Sequence, residues 1–259
     1  MALSVSRPSP RLGRLRLSEY GWGMRILLIA AALVASAALG YAANIARRNA
    51  LGQVVQACAL DKATTGSPFP CLEVSGAGAD GFVVLRPPVG EPDTILAPTR
   101  RIVGIEDPFL QTDKAPNYFA LAWDARRWLS PEPPPERTAL AVNSRLARSQ
   151  DQLHVHIGCL SAEFAGRLGG RALGSATGTW FRGPDMAPGL ELWTYRTGAK
   201  DWSDVSPFRL LKPLVGDAAA MKRTTLAGAL IGGEMVLAAL RSHPGGWYAS
   251  AEDVLDAKC

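Results

Sequence analysis

Histidine is scarce in this chain, with three residues in 259. So few imidazoles leave little material for a histidine-built metal centre, and the four cysteines do not make up the difference. Cys58, Cys71, Cys159 and Cys259 include no Cys-x-x-Cys pair, and their scattered spacing disfavours a tetrahedral zinc site. An acidic cluster with magnesium-ligand spacing is also missing, as is any internal repeat. Acids are nearly absent from residues 1–48, where Glu19 alone faces seven arginines, a net of +6. The whole chain carries +5, so everything after residue 48 sums to about −1. That balance gives no support to nucleic-acid binding, which needs a clustered basic face.

Long apolar runs are equally few. One extends from Ile26 to Ile45, about 20 residues without a charge, enough to cross a bilayer as a helix. Arg7, Arg11, Arg14, Arg16 and Arg25 precede it, and Arg47 and Arg48 follow. The excess on the amino side predicts a cytoplasmic amino terminus and an exported remainder. Ala35-Ser36-Ala37 and Ala42-Ala43 offer small-residue sites for the alternative, a cleaved signal peptide. The length of the run and of its charged lead favours a retained anchor. All four cysteines lie beyond this segment, an even set that in an oxidising compartment forms two disulfides from three possible connectivities. Cys58 with Cys71 would close a short Pro- and Gly-containing loop, and Cys159 with Cys259 would tie down the carboxy terminus. Four buried thiols are the alternative.

Beyond the anchor lie about 210 residues, enough for one domain with a substantial core. The expected layout is a cytoplasmic basic segment 1–25, an anchor 26–45, a lead-in 46–80 holding a disulfide loop, and a domain over 81–259. Residues 61–80 read as irregular. Strands are predicted at 81–85, stopped by Pro87-Pro88, at 94–97, at 138–142, and at 152–159 as the hairpin partner of the third. A helix is predicted over 117–129 from the spacing of Phe119, Ala122, Trp123 and Arg126, and a short one over 161–168. Further on, 190–195 reads as a strand, 218–230 as a helix, and 235–240 with 247–250 as a hairpin around Ser242-His243-Pro244-Gly245-Gly246. The mix predicts an α+β fold, an antiparallel sheet with packed helices, preceded by one N-terminal transmembrane helix.

Two of the histidines fall together in Gln150-Asp151-Gln152-Leu153-His154-Val155-His156-Ile157-Gly158-Cys159. On a strand this spacing places Gln150, Gln152, His154 and His156 on one face and Leu153, Val155 and Ile157 on the other. Paired imidazoles on a rigid strand suit phosphorus chemistry: one ring attacks while neighbouring donors hold the phosphate oxygens. His243, in a Pro-Gly-Gly turn, reads as a surface residue, and Asp151 as structural.

The segment from Asn143-Ser144-Arg145 through Gln150 to His154-Val155-His156 resembles the core hairpin of the histidine-triad (HIT) superfamily of nucleotidyl hydrolases and transferases. A strand ends in Asn, a turn follows, Gln opens the next strand, and His-x-His comes four and six residues after that Gln. Ile95-Leu96-Ala97-Pro98-Thr99-Arg100-Arg101 resembles that superfamily's strand ending in Pro-Lys-x-His, with Arg101 in place of the His. Together with the anchor, Pro98 to Glu106, Pro116 to Arg126, and the Asn143 and Gln150 motifs resemble the bacterial CDP-diacylglycerol pyrophosphatase family. The resemblance covers residues 26–259 in layout and is strongest over 95–160.

The resemblance implies a HIT-like sheet and hydrolysis of CDP-diacylglycerol to CMP and phosphatidate, with no cofactor and no metal. A neutral imidazole would attack the cytidylyl phosphorus, and water would then free CMP from a nucleotidyl-histidine intermediate. The family has three alternating His, the middle one attacking; here the positions read Gln152, His154, His156, Gly158. If Gln150 fixes the register, His156 is the nucleophile and His154 orients or donates to phosphate. If Gln152 stands for the first His, His154 attacks. The Asn143-to-Gln150 spacing favours His156. Asn143, Gln150 and Gln152 are expected substrate contacts, with Arg101, Arg145 and Arg148 as diphosphate clamps. The expected partners are the lipid substrate and the bilayer, at the bacterial inner membrane with the catalytic domain periplasmic. A homodimer is left open. Two other readings compete: a relative acting on soluble nucleotides, and an exported metal-binding protein using His-x-His as a ligand pair.

Overall fold

A computed structural model describes residues 22–76, 78–87, 94–172 and 174–256. The chain divides into two units, Met1–Ala46 and Arg47–Cys259, the second taking in both the lead-in and the region from 81 onward. In chain order the helices are α1 (Trp22–Arg48), α2 (Ala50–Thr65), α3 (Tyr118–Asp124), α4 (Ala162–Ala172), α5 (Pro207–Val215) and α6 (Ala218–Met221). The strands are β1 (Glu73–Ser75), β2 (Phe82–Leu85), β3 (Thr94–Pro98), β4 (Thr138–Val142), β5 (Val155–Leu160), β6 (Trp180–Arg182), β7 (Leu190–Arg196), β8 (Thr224–Ile231), β9 (Glu234–Ser242) and β10 (Leu255–Asp256).

Within α1, the span Ile26–Arg48 is long and apolar enough to cross a membrane, with a mean hydropathy of 2.2. Ile26, Leu28, Leu33, Val34 and Leu39 are all exposed. An apolar surface on every side of a helix is unfavourable in water and is relieved in hydrocarbon. The segment is compatible with an anchor or a signal sequence.

In the second unit all strand pairs are antiparallel, in the order β1-β2-β3-β5-β4-β8-β9-β7-β6, with β10 added to β5. One face carries the main core: Leu96, Leu140, Val155, Ile157, Leu226 and Leu237 lie under Phe119 and Trp123 of α3 and Phe208 and Leu211 of α5. The other face holds two separate apolar clusters. Leu51 and Val55 of α2 cover Val83, Leu85, Ile95 and Ala97 at one end. Phe164 and Leu168 of α4 cover Ala139, Ala141, Ala227 and Ala238 at the other. His156 is paired with Ile95 on one side and Ala141 on the other, so it sits between the clusters.

Four expectations are corrected. Residues 218–230 are not one helix: Asp217 caps the single turn of α6, and Thr224 begins β8. The alanines suggest helix, but Gly228 must pass beneath Trp202, and a Cβ there would lie 2.6 Å from its ring. The partner of β8 is β9, across Gly232-Gly233, both at positive φ as a two-residue hairpin turn requires. Residues 247–250 are accordingly not a strand. The lead-in is helical as far as Thr65, where Gly66 closes α2 in the left-handed conformation. Finally, β5 begins at Val155, so Gln150, Gln152 and His154 precede the strand and do not share its face by alternation. Cys58 and Cys71 form a disulfide that ties α2 to the segment before β1; for the second expected pair, Cys259 lies outside the described residues.

Gly228→Ala should lower stability by about 1–3 kcal/mol through overpacking against Trp202. Urea denaturation checks this; an unchanged midpoint would remove the explanation for the small-residue strand.

Candidate active site

His156 is held from both sides by ladder pairing, and its ring centroid lies 4.8 Å from that of His154, the planes tilted by 60°. His154 Nδ1 is 2.8 Å from the carbonyl oxygen of Gln152. A carbonyl only accepts, so Nδ1 carries the proton and the lone pair of the neutral ring is on Nε2. For His156 the tautomer follows from Asn143. The Asn143 Oδ1 accepts the Ala251 backbone N–H at 2.7 Å, which turns its Nδ2 toward His156 Nε2, 3.4 Å away. An amide nitrogen only donates, so Nε2 of His156 is the lone-pair nitrogen. Both imidazoles are nearly buried.

The position of Asn143 is set by its neighbours. Ser144 N–H donates to the Thr225 hydroxyl, which itself donates to the Ala249 carbonyl. That connection fastens the end of β4 to β8 and to the segment bearing Ala251. At position 158, where a third alternating histidine would stand, Leu255 of β10 packs over the glycine, and a Cβ would meet it at 3.3 Å. The space for that side chain is already filled.

Asn143, His154 and His156 line a cleft of about 490 Å³ together with Ser149, Gln150 and Glu252. The apolar part of its lining comes from Leu51, Val54, Pro70, Leu85, Pro87 and Ile95, and Arg86 lines it too. Gln150 reaches α2, its Oε1 accepting the Leu51 N–H at 2.9 Å at the helix amino terminus.

The remaining expected contacts have protein partners. Gln152 Nε2 donates to the Pro98 and Arg100 carbonyls at 2.9 and 3.0 Å. Arg101 donates to Asn49 Oδ1 at 2.6 Å. Arg148 forms a two-bond pair with Glu106 at 2.7 and 2.6 Å and also approaches Asp151. Asp151 accepts two bonds from Arg48, each 2.7 Å, and one from Arg145 at 3.1 Å. Gly104 is required here, because a Cβ would fall 2.3 Å from Arg148 Nη1. The Gly-Ile-Glu of 104–106 therefore serves this ion-pair network. Arg86, Glu252 and the α2 residues were not singled out in the sequence. Arg86 had a usable signal, a cation at the end of a strand halted by Pro87.

Among the described residues, no group of three or more His, Cys, Asp and Glu is placed to hold a metal ion. A cleft with paired, tautomer-defined imidazoles beside a deep antiparallel sheet describes an α+β hydrolase. The chain belongs to the CDP-diacylglycerol pyrophosphatase family, whose match spans residues 46–259. It is similar to the CDP-diacylglycerol pyrophosphatase of Yersinia pestis, at 34% identity over 246 residues, covering 92% of this chain and 94% of that protein.

The hydrogen bonds from Arg48, with the charges of Arg48 and Arg148, hold the Asp151 carboxyl down at about 2, against an ordinary 3.8. A depressed carboxylate stabilises the fold above its unfolded pKa and loses that contribution as pH falls through the folded value. Asp151→Asn should therefore melt lower than the unaltered protein at pH 7, with the gap closing between about pH 4 and pH 2. Thermal unfolding across that range tests it, and a gap independent of pH would exclude the carboxylate as its source.

Proposed function

We propose that this protein hydrolyses the diphosphate of CDP-diacylglycerol to CMP and phosphatidate through a nucleotidyl-histidine intermediate, on a HIT-like hairpin made by β4 and β5. The family membership supports the substrate. The observation that carries the mechanism is the Asn143 amide, oriented by Ala251 so that the lone pair of His156 is on Nε2. His156 Nε2 attacks the cytidylyl phosphorus, the bond to the bridging oxygen breaks, and phosphatidate departs with that electron pair. Water then attacks the same phosphorus and gives up a proton to solvent, the P–N bond breaks with its electron pair returning to Nε2, and CMP leaves with the neutral imidazole restored.

A phosphate leaving group needs little protonation, so charge stabilisation and positioning dominate. His156 suits the nucleophile because both strand neighbours hold it, whereas His154 precedes the strand. His154, when protonated on Nε2, donates to the phosphate. Asn143 and Gln150 contact substrate, and Arg86 is the cation beside the diphosphate. Arg145, Arg148 and Gln152 act from behind, shaping the 143–154 loop, and Arg101 holds Asn49 ahead of α2. The apolar amino-terminal helix serves as an inner-membrane anchor with the second unit in the periplasm.

Incubation with CDP-lipid labelled at the cytidylyl phosphate, quenched in base, should trap an adduct on the unaltered protein. His156→Ala should abolish it and lower kcat at least about a thousandfold. His154→Ala should slow turnover by about a hundredfold while still forming adduct. Full hydrolysis by both variants would rule the mechanism out. Hydrolysis of soluble CDP-alcohols but not CDP-lipid would favour a nucleotide-specific enzyme.

A further inference from the structure

The geometry points to the apolar wall of the cleft as the seat of the glycerol and proximal acyl methylenes of the substrate, with Val54 of α2 setting selectivity for a lipid over a soluble CDP ester. This rests on the CDP-lipid reading of the site. The wall begins at the reacting centre. Leu85 is paired with Ile95, and Ile95 with His156, so the three side chains form one row across β2, β3 and β5 on a single face. Adjacent strands are about 4.8 Å apart, so Ile95 and then Leu85 lie within reach of the lipid end of a substrate whose phosphorus is at His156. The polar lining residues, Asn143 beside His156 together with Gln150 and Glu252, are left for the nucleotide.

Two further features select a lipid as occupant. Val54 is half-buried and faces the cleft, whereas Val55 beside it is wholly buried in the core. The outer end of the wall is Pro70, and Phe69 next to it is 73% exposed on a loop tied to α2 by the Cys58–Cys71 disulfide. An exposed large apolar side chain at the mouth of an apolar wall suits a substrate whose remainder stays in a bilayer. In sequence, only Asn49 separates the apolar helix from α2, so the wall is tethered within a few residues of that helix. A cleft of about 490 Å³ is of the size that holds a drug-sized molecule. It accommodates the nucleotide end, the glycerol and the first methylenes, not two complete acyl chains.

The test is a series of short-chain CDP-diacylglycerols with acyl chains of increasing length, against CDP-glycerol, using full-length protein in detergent. For the unaltered protein, kcat/KM should rise about fourfold per methylene that the wall buries, then level off. Val54→Asp should flatten that rise and lower the ratio of diacyl to CDP-glycerol kcat/KM at least tenfold. Thermal unfolding confirms that the variant is folded, and Val54→Ser replaces it if it is not. A kcat/KM independent of chain length in the unaltered protein, with CDP-glycerol turned over, overturns the acyl wall and leaves the hydrolase reading intact. So does a parallel fall of both substrates in the variant. Failure to hydrolyse any CDP ester overturns the hydrolase reading and the wall with it.

Discussion

On β5, side chains alternate, so burying Val155 and Ile157 against the α3 side of the sheet obliges His156 to point the other way. That opposite face is covered twice, by α2 at one end and α4 at the other, and neither layer reaches the middle. The cleft is what remains between them. Its floor is held by a strand hydrogen-bonded to β4 along one edge and to β3 and then β10 along the other. A slip of one residue in β5 would turn His156 into an apolar core and expose Val155 and Ile157 to the cleft.

Charge is distributed in the same spirit, toward holding the loop that delivers the histidines. Arg148 is 4% exposed and satisfied by Glu106 and Asp151. Removing one partner of such a pair strands the other and costs about 3–5 kcal/mol. Arg48 fastens the 145–151 turn to the chain just ahead of α2, while Arg145 and Arg148 close that turn on Asp151 from within it. Arginine next to a proposed phosphate site reads naturally as a ligand, yet here its partners are carboxylates of the protein itself. The guanidinium fork fits either group equally well, and only distance tells them apart.

The hairpin of β4 and β5 was legible because turn residues and β-rich runs are local signals, and so was α3, opened by Asn117, whose side chain caps it. The β8–β9 hairpin was not. Its alanines and glycines are chosen by what packs on them, Trp202 on Gly228 above all, and that is a contact between distant parts of the chain. The glycine at 158 was plain in the sequence, but not the side chain that packs over it, which is Leu255 from another strand. Asn143 and the two histidines were found by spacing and resemblance. Arg86 and the α2 wall were not, since nothing within their own segments marks them as neighbours of His156. Gln152 illustrates the converse: in line with the histidines by count, it lies ahead of the strand and binds the exit of β3.

The hydrogen bond that orients Asn143 comes from Ala251, 108 residues further along, while Asp151 is tied to Arg48, 103 residues back. Contacts so distant in the chain are made late in folding, because loop-closure entropy must be met before they return any stability. The carboxy-terminal segment must have docked before His156 acquires its oriented amide. A collapsed intermediate with the central hairpin formed would already display both imidazoles and still lack the Asn143 geometry. Turnover is thus a stricter gauge of completed folding than any spectroscopic signal from the sheet, and recovery of activity on refolding should trail recovery of secondary structure.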